Sequence, residues 1–186
     1  MRIGEEEARE FFNGLTSSRF DKPAIRDFLG YSMRRLVKTF NLIAPDVERS
    51  QRILELACPP YLFSALLKHR FPTKEFHFTH YARAEQISIP VQISHAKLGE
   101  TYTLCPQFVD LERDPYPFDS QSFDLVMAME IIEHFLRNPF HFIQEVNRVL
   151  KIGGRFLVTT PQCRIMSRVA KLVAVSASQR EQIQPA

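Results

Sequence analysis

Asp110 to Pro161, DLERDPYPFDSQSFDLVMAMEIIEHFLRNPFHFIQEVNRVLKIGGRFLVTTP, carries a strand, a carboxylate-rich exit, a helix, a Gly-Gly turn and a second strand in unbroken succession. Phe123 to Met129 and Gly154 to Thr160 are the two strands, and Phe140 to Leu150 is the helix joining them. A strand, a crossover helix and a further strand imply parallel pairing, because parallel neighbours need such a connection, and it is nearly always right-handed. The succession is half of a nucleotide-type α/β site, whose ligand lies beyond the carboxyl ends of the strands. Lys151-Ile152-Gly153-Gly154 is expected to end the helix with a glycine cap, while Asp119, Ser122, Asp124 and Thr159-Thr160-Pro161 set the frame.

The same alternation extends toward the N-terminus. Arg52 to Leu56 (RILEL) is a short apolar run before a Pro-Pro turn, and Tyr61 to Phe71 follows with Leu62, Ala65, Leu66 and Leu67 at helical spacing. Glu75 to His80 alternates as a second strand, Gln86 to Lys97 is ambiguous, and Thr103 to Val109 is expected as the third. His77 and His80, three apart on a strand, point to opposite faces and cannot share a metal. Ahead of these units, Glu5 to Phe12 and Pro23 to Leu42 are expected as helices. Ile25, Phe28, Leu29, Met33, Leu36, Val37 and Phe40 recur at helical spacing, and Pro23 after Asp21 suits a helix start. The expected fold is therefore α/β, a doubly wound and mostly parallel sheet of about five strands under an N-terminal helical cap. The expected division is a cap over residues 1–45, the α/β domain over 46–176 and a frayed polar tail over 177–186.

Composition narrows the function classes. The 186 residues are 45% hydrophobic and 24% charged, which suits one cored domain and excludes a disordered chain. A net charge of +3 is mild, and the Arg34, Arg35 and Lys38 cluster on a helix reads as a solvated face, so no nucleic-acid partner is expected. Cys58, Cys105 and Cys163 are odd in number and lack C-x-x-C spacing, which argues against a disulfide framework or a zinc site. No metal is expected. The acidic N-terminus lacks the order of a signal peptide and no apolar run reaches membrane length, so a cytoplasmic protein without a membrane partner is expected.

An acidic residue after one strand, "FDLV" opening the next, Glu130-Ile131-Ile132-Glu133-His134 leaving it and "RVLKIGG" closing the next helix resemble the class I S-adenosylmethionine-dependent methyltransferase domain, type 11-like. The resemblance covers about residues 50 to 162 and implies a Rossmann-like fold with S-adenosylmethionine as cofactor. It places Glu55, Ala57, Cys58 and Tyr61 after the first strand, Tyr81 after the second, Asp110 and Leu111 after the third, and Met129 and Glu130 after the fourth, all at the cofactor. Asp110 would accept from the adenine amino group with Leu111 backing the ring; a turn aspartate is the other reading of that position. The first loop departs from the family: Glu55-Leu56-Ala57-Cys58-Pro59-Pro60-Tyr61 has no glycine, and its two prolines donate no backbone N–H. The ribose-binding carboxylate after the second strand is also lacking, with His80-Tyr81-Ala82 in its place.

Methyl transfer needs mainly alignment, and a hydroxyl nucleophile gains from a base. Histidine is the side chain whose unperturbed pKa lies nearest neutrality, so His134 is the candidate base and Glu133 its orienting partner; capping of the local turn is the alternative for both. The expected function is methylation of a small-molecule or glycan-type hydroxyl. The alternative is a catalytically inactive methyltransferase-like domain that binds or assembles, which the Pro-Pro loop favours. A nicotinamide enzyme would need a G-x-G-x-x-G fingerprint that the sequence lacks. The resemblance also leads to the expectation that the family's terminal strand hairpin is lacking from these 186 residues, through truncation of the domain or otherwise, which would leave Phe156-Leu157-Val158 on an edge that invites homo-oligomer formation. An apolar helix from Ile165 to Val175 is expected to shield it.

Overall fold

The computed structural model describes residues 1–81, 90–136, 139–160 and 175–176. Its elements, in chain order, are α1 (Glu5–Asn13), β1 (Leu15–Ser17), α2 (Lys22–Arg49), β2 (Arg52–Leu56), α3 (Leu62–Arg70), β3 (Glu75–Tyr81), β4 (Val91–His95), β5 (Glu100–Leu104), β6 (Gln107–Val109), β7 (Phe123–Met129), α4 (Phe140–Val149), β8 (Leu150–Thr159) and β9 (Val175–Ser176). A single 3-10 turn, Ile132–His134, lies between β7 and α4.

The main sheet runs in the order β6-β3-β2-β7-β8-β9, with the first five strands parallel and β9 antiparallel. The expected Rossmann-like α/β fold of five parallel strands is thus present. The order in which successive strands are added reverses between β2 and β7, the switch point where an open sheet leaves a crevice. The two central strands are buried on both faces. Leu125 and Met127 join Ile53 in one core cluster, while Leu54, Leu56, Val126 and Ala128 join another. The first core lies under α1, α2 and α3, and the second under α4 and the residues around Leu111 and Tyr116.

Helix α2 starts where Asp21 Oδ1 accepts from the amide of Ala24 at 2.8 Å, with Pro23 in the first turn. It runs on to Arg49, past the expected stop at Leu42 and through Pro45. An interior proline costs a helix about 3 kcal/mol. Ile43, Ala44 and Val47 beyond Leu42 are fully buried, and burial of each large aliphatic returns about 1.5 to 3 kcal/mol. The expected division at residue 45 falls inside this helix, whose stripe shares the core of β2 and β7.

The expected third strand, Thr103 to Val109, is two strands in two sheets. Glu100–Leu104 pairs antiparallel with β4, and β4 with β1, in a separate three-stranded sheet; only Gln107–Val109 joins β3. Pro106, which has no N–H to give a ladder, stands between them. The ambiguous stretch before Lys97 supplies β4 from Val91, and residues 86–89 lie outside those described. The small sheet is clamped to α1 at Gly14, where a Cβ would stand 2.5 Å from the His95 ring.

The Gly-Gly segment does not cap α4. Leu150 ends the helix in extended conformation and already pairs with Phe123, while Arg155 pairs with Leu125. The extra residues on β8 form a bulge, which Gly153 permits at φ 80°. Asp124 is a frame residue as expected: its Oδ2 accepts from the amides of Gln51 and Arg52, and its Oδ1 from Lys151 Nζ at 2.7 Å. The outer edge of β8 meets β9, which pairs Arg155 with Ser176 and Phe156 with Val175. Val175 is therefore in a strand, not in the expected shielding helix; residues 164–174 lie outside those described, as does the 177–186 tail.

Candidate active site

Beyond the ends of β2 and β7, α2 closes one side of a cleft of about 580 Å³. Both strands turn out of the sheet through left-handed backbone: Ala57 follows β2 at φ 52° and Glu130 follows β7 at φ 54°. For residues other than glycine such conformations are uncommon and gather at functional sites. The cleft brings together seven of the expected site residues: Glu55, Ala57, Cys58, Met129, Glu130, Glu133 and His134.

Glu55 is 1% exposed, and its Oε2 accepts from Ser64 Oγ at 2.6 Å. Burial disfavours the carboxylate and the Ser64 hydrogen bond opposes this, leaving the pKa pushed up to about 7. Burial and the adjacent Glu55 raise the Cys58 thiol well above its ordinary value, so Cys58 is a poor nucleophile at neutral pH. The loop after β2 turns its backbone donors away from any ligand. Ala57 N donates to Thr79 Oγ1, Cys58 N to the Thr79 carbonyl and Tyr61 N to the Cys58 carbonyl, while Pro59 and Pro60, joined by a cis bond, have none. The free donors of this corner belong to the start of α3, where the amides of Leu62, Phe63 and Ser64 have no hydrogen-bond partner among the described residues. Leu62 and Phe63 line the cleft, and a helix N-terminus of this kind favours an anion.

Across from the loop, Glu130 is fixed by Thr159. Its amide donates to the Thr159 carbonyl at 2.9 Å, and its Oε1 accepts from Thr159 Oγ1 at 2.9 Å. Glu133 and His134 stand exposed on the 3-10 turn at the mouth of the cleft. Neither side chain is hydrogen-bonded among the described residues, so the expected orientation of His134 by Glu133 is not formed here.

Four expected cofactor residues are not in this cleft. Tyr61 is fully buried at φ 68°, with its hydroxyl 2.6 Å from His80 Nδ1. The left-handed turn into α3 directs this ring into the core. Tyr81 donates to Glu112 Oε2 at 2.7 Å. Asp110 builds a turn: its Oδ1 accepts from the amide of Glu112, its carbonyl from Arg113 and Asp114, and its amide donates to Asp114 Oδ2. Leu111 is fully buried in the second core. Sequence reasoning missed Ser64, a fully buried polar residue one helical position from the apolar stripe of α3. It also missed the α2 wall of Phe28, Tyr31, Arg35 and Thr39, for which the basic cluster was the available signal. Among the described residues no three His, Cys, Asp or Glu side chains are grouped to hold a metal, and no helix is long and apolar enough to cross a membrane.

A family described as "methyltransferase domain" matches residues 64–158. No curated protein sequence matches the chain. Among solved structures, a SAM dependent methyltransferase from Archaeoglobus fulgidus is 16% identical, with a TM-score of 0.53 over 76% of this chain and 59% of that one. Geranyl diphosphate C-methyltransferase from Streptomyces coelicolor A3(2), solved with S-adenosyl-L-homocysteine, is 11% identical, with a TM-score of 0.48 over 77% and 50%. An O-methyltransferase from a trans-AT PKS multienzyme of Brevibacillus brevis, also solved with S-adenosyl-L-homocysteine, is 16% identical, with a TM-score of 0.43 over 77% and 49%. The chain thus spans about half to three-fifths of the length of the solved structures it resembles.

Proposed function

The chain belongs to the methyltransferase-domain family, and on that premise we propose that it transfers a methyl group from S-adenosylmethionine to a hydroxyl of a small-molecule or glycan-type acceptor. The observation that carries the reading is the cleft at the β2/β7 switch point, where Glu55 and the start of α3 flank one end and His134 stands free at the mouth. These residues fit the amino-acid end of the cofactor. The unpartnered amides of Leu62, Phe63 and Ser64 suit its carboxylate and Glu55 its ammonium, replacing the donors that the Pro-Pro loop withholds. When bound, the cofactor supplies a methyl carbon made electrophilic by a positively charged sulfur.

The chain's own residues then have three tasks. Glu130, anchored on Thr159, and Glu133 give the cleft a negative bias that suits a sulfonium. The walls from α2 and the β7 exit align the acceptor, which is most of the catalysis a direct displacement requires. A ring nitrogen of His134 would take the acceptor's hydroxyl proton as its oxygen gains the methyl group, the carbon–sulfur bond breaking with its electron pair left on the sulfur of S-adenosylhomocysteine. Isothermal titration calorimetry with S-adenosylhomocysteine tests the premise: micromolar binding supports it. A chain that is folded yet shows no heat at millimolar ligand would instead fit a methyltransferase-like domain without catalysis.

A further inference from the structure

The wall that α2 contributes to the cleft differs chemically from the strand exits. Phe28 and Tyr31 meet edge to face, with ring centroids 5.6 Å apart and planes at 75°, and Tyr31 remains 76% exposed. Arg35 lies four residues on, on the same helix face, and its half-buried side chain reaches the cleft. A guanidinium has five N–H donors. One is used on Ser32 Oγ at 3.0 Å, and the nearest cleft carboxylate, Glu130 Oε2, stands 3.9 Å away, beyond hydrogen-bond distance. Glu130 already takes a hydrogen bond from Thr159. Arg35 thus makes a loose ion pair with Glu130 without a hydrogen bond, which leaves most of its N–H donors available, and it is the one guanidinium among the described residues of the cleft.

Building on the methyl-transfer reading, we propose that the acceptor is a planar or aromatic molecule with an oxyanion, a carboxylate or phosphate, which Arg35 holds while the ring lies against Tyr31 and Phe28. The fork of a guanidinium matches two oxygens of such a group, and an exposed aromatic beside it suits a flat neighbour. The cofactor's carboxylate is met on a different element, at the start of α3, so Arg35 is left for the second substrate. Arg35 faces Glu130 on the β7 exit across 3.9 Å, the same exit that leads to His134. An acceptor anchored at Arg35 therefore extends toward the base. Glu133, on the turn at the mouth, repels an anion there, which orients the acceptor with its oxyanion toward Arg35. A neutral analogue leaves the guanidinium without its partner, and sites built around such a bond reject the analogue lacking it.

The test compares anionic probes with neutral counterparts: 4-hydroxybenzoate against its methyl ester, and phenyl phosphate against phenol. Each is titrated calorimetrically into the full chain with and without S-adenosylhomocysteine. At least one anionic probe should bind about tenfold tighter than its counterpart. Arg35→Gln should remove the difference and leave S-adenosylhomocysteine affinity within about twofold, Arg35→Lys should restore part of it, and Tyr31→Ala should weaken both members of a pair alike. Equal binding of both pairs by the wild type, or a preference that survives Arg35→Gln, overturns the proposal. So does an Arg35→Gln chain that loses S-adenosylhomocysteine instead, since the guanidinium would then serve the cofactor. If the wild type fails to bind S-adenosylhomocysteine, the methyl-transfer reading falls, while the ratio measured without it still decides the role of Arg35.

Discussion

Replacing Glu55 by Gln should make the protein more stable, and more so the higher the pH. Glu55 lies beneath the cleft at 1% exposure, and its pKa rises from an ordinary 4.5 to about 7 because burial outweighs the hydrogen bond from Ser64. A carboxyl with a raised folded-state pKa binds more protons folded than unfolded between those two values. Folding stability therefore falls as pH rises through that window, and the loss is complete above pH 7. The rise corresponds to about 3 kcal/mol at full ionisation, of which about 2 kcal/mol accrues between pH 5 and pH 8. Glutamine is nearly isosteric and keeps an oxygen that can accept from Ser64 Oγ, so the variant removes the charge and little else. Thermal or urea unfolding of both chains at pH 5, 6, 7 and 8 reads the difference directly, because every other titrating group is common to both. The gap in favour of Glu55→Gln should widen by about 2 kcal/mol across the series, or about 4 to 8 °C in Tm for a chain of this size. Parallel profiles would show that Glu55 is not held in a desolvated site. The same ionisation bears on ligand: S-adenosylhomocysteine affinity should climb through pH 7 in the wild type and stay level in the variant.

His134→Ala should lower methyl transfer to a hydroxyl acceptor by about 10²-fold or more while leaving S-adenosylhomocysteine affinity alone; unchanged turnover would reduce His134 to part of the turn. Arg148→Ala removes donors to the Tyr116 and Phe118 carbonyls and to both oxygens of Glu145, and should cost about 2 to 3 kcal/mol in denaturant unfolding. Arg148 holds the Glu145 carboxyl below its usual range, so this deficit should shrink as acid protonates Glu145; a deficit constant down to pH 3 would contradict the pairing. Among the described residues the outer edge of β8 is paired only at Arg155 and Phe156, so the chain should self-associate through Leu157 to Thr159. A monomer by light scattering at high concentration, with fast amide exchange over residues 157–159, would remove that expectation.

The sequence alone determined the parallel βα succession, because each unit announces itself locally. RILEL and FDLVMAM are apolar runs bounded by turn residues, and α2 and α3 carry stripes at the helical period. It also placed the strand exits, and with them Glu55, Met129, Glu130, Glu133 and His134 around the cleft, since the switch point follows from strand order. Pairing between distant segments was decided only in the tertiary structure. Leu15 meets His95 across the small sheet, which draws Glu100–Leu104 away from Gln107–Val109 although the two segments are almost contiguous in sequence. Local periodicity holds no information about which of two sheets a strand joins. The same is true of side-chain destination. Tyr61 and Cys58 share one short loop, yet a left-handed residue buries the tyrosine against His80 and leaves the cysteine on the cleft. Arg35 becomes a cleft residue only because α2 packs against β2 and β7, and Glu55 acquires its raised pKa only because α3 brings Ser64 and the core around it. Charge and spacing are written along the chain, whereas desolvation, which sets what a charge can do, arises only where separate segments close over it.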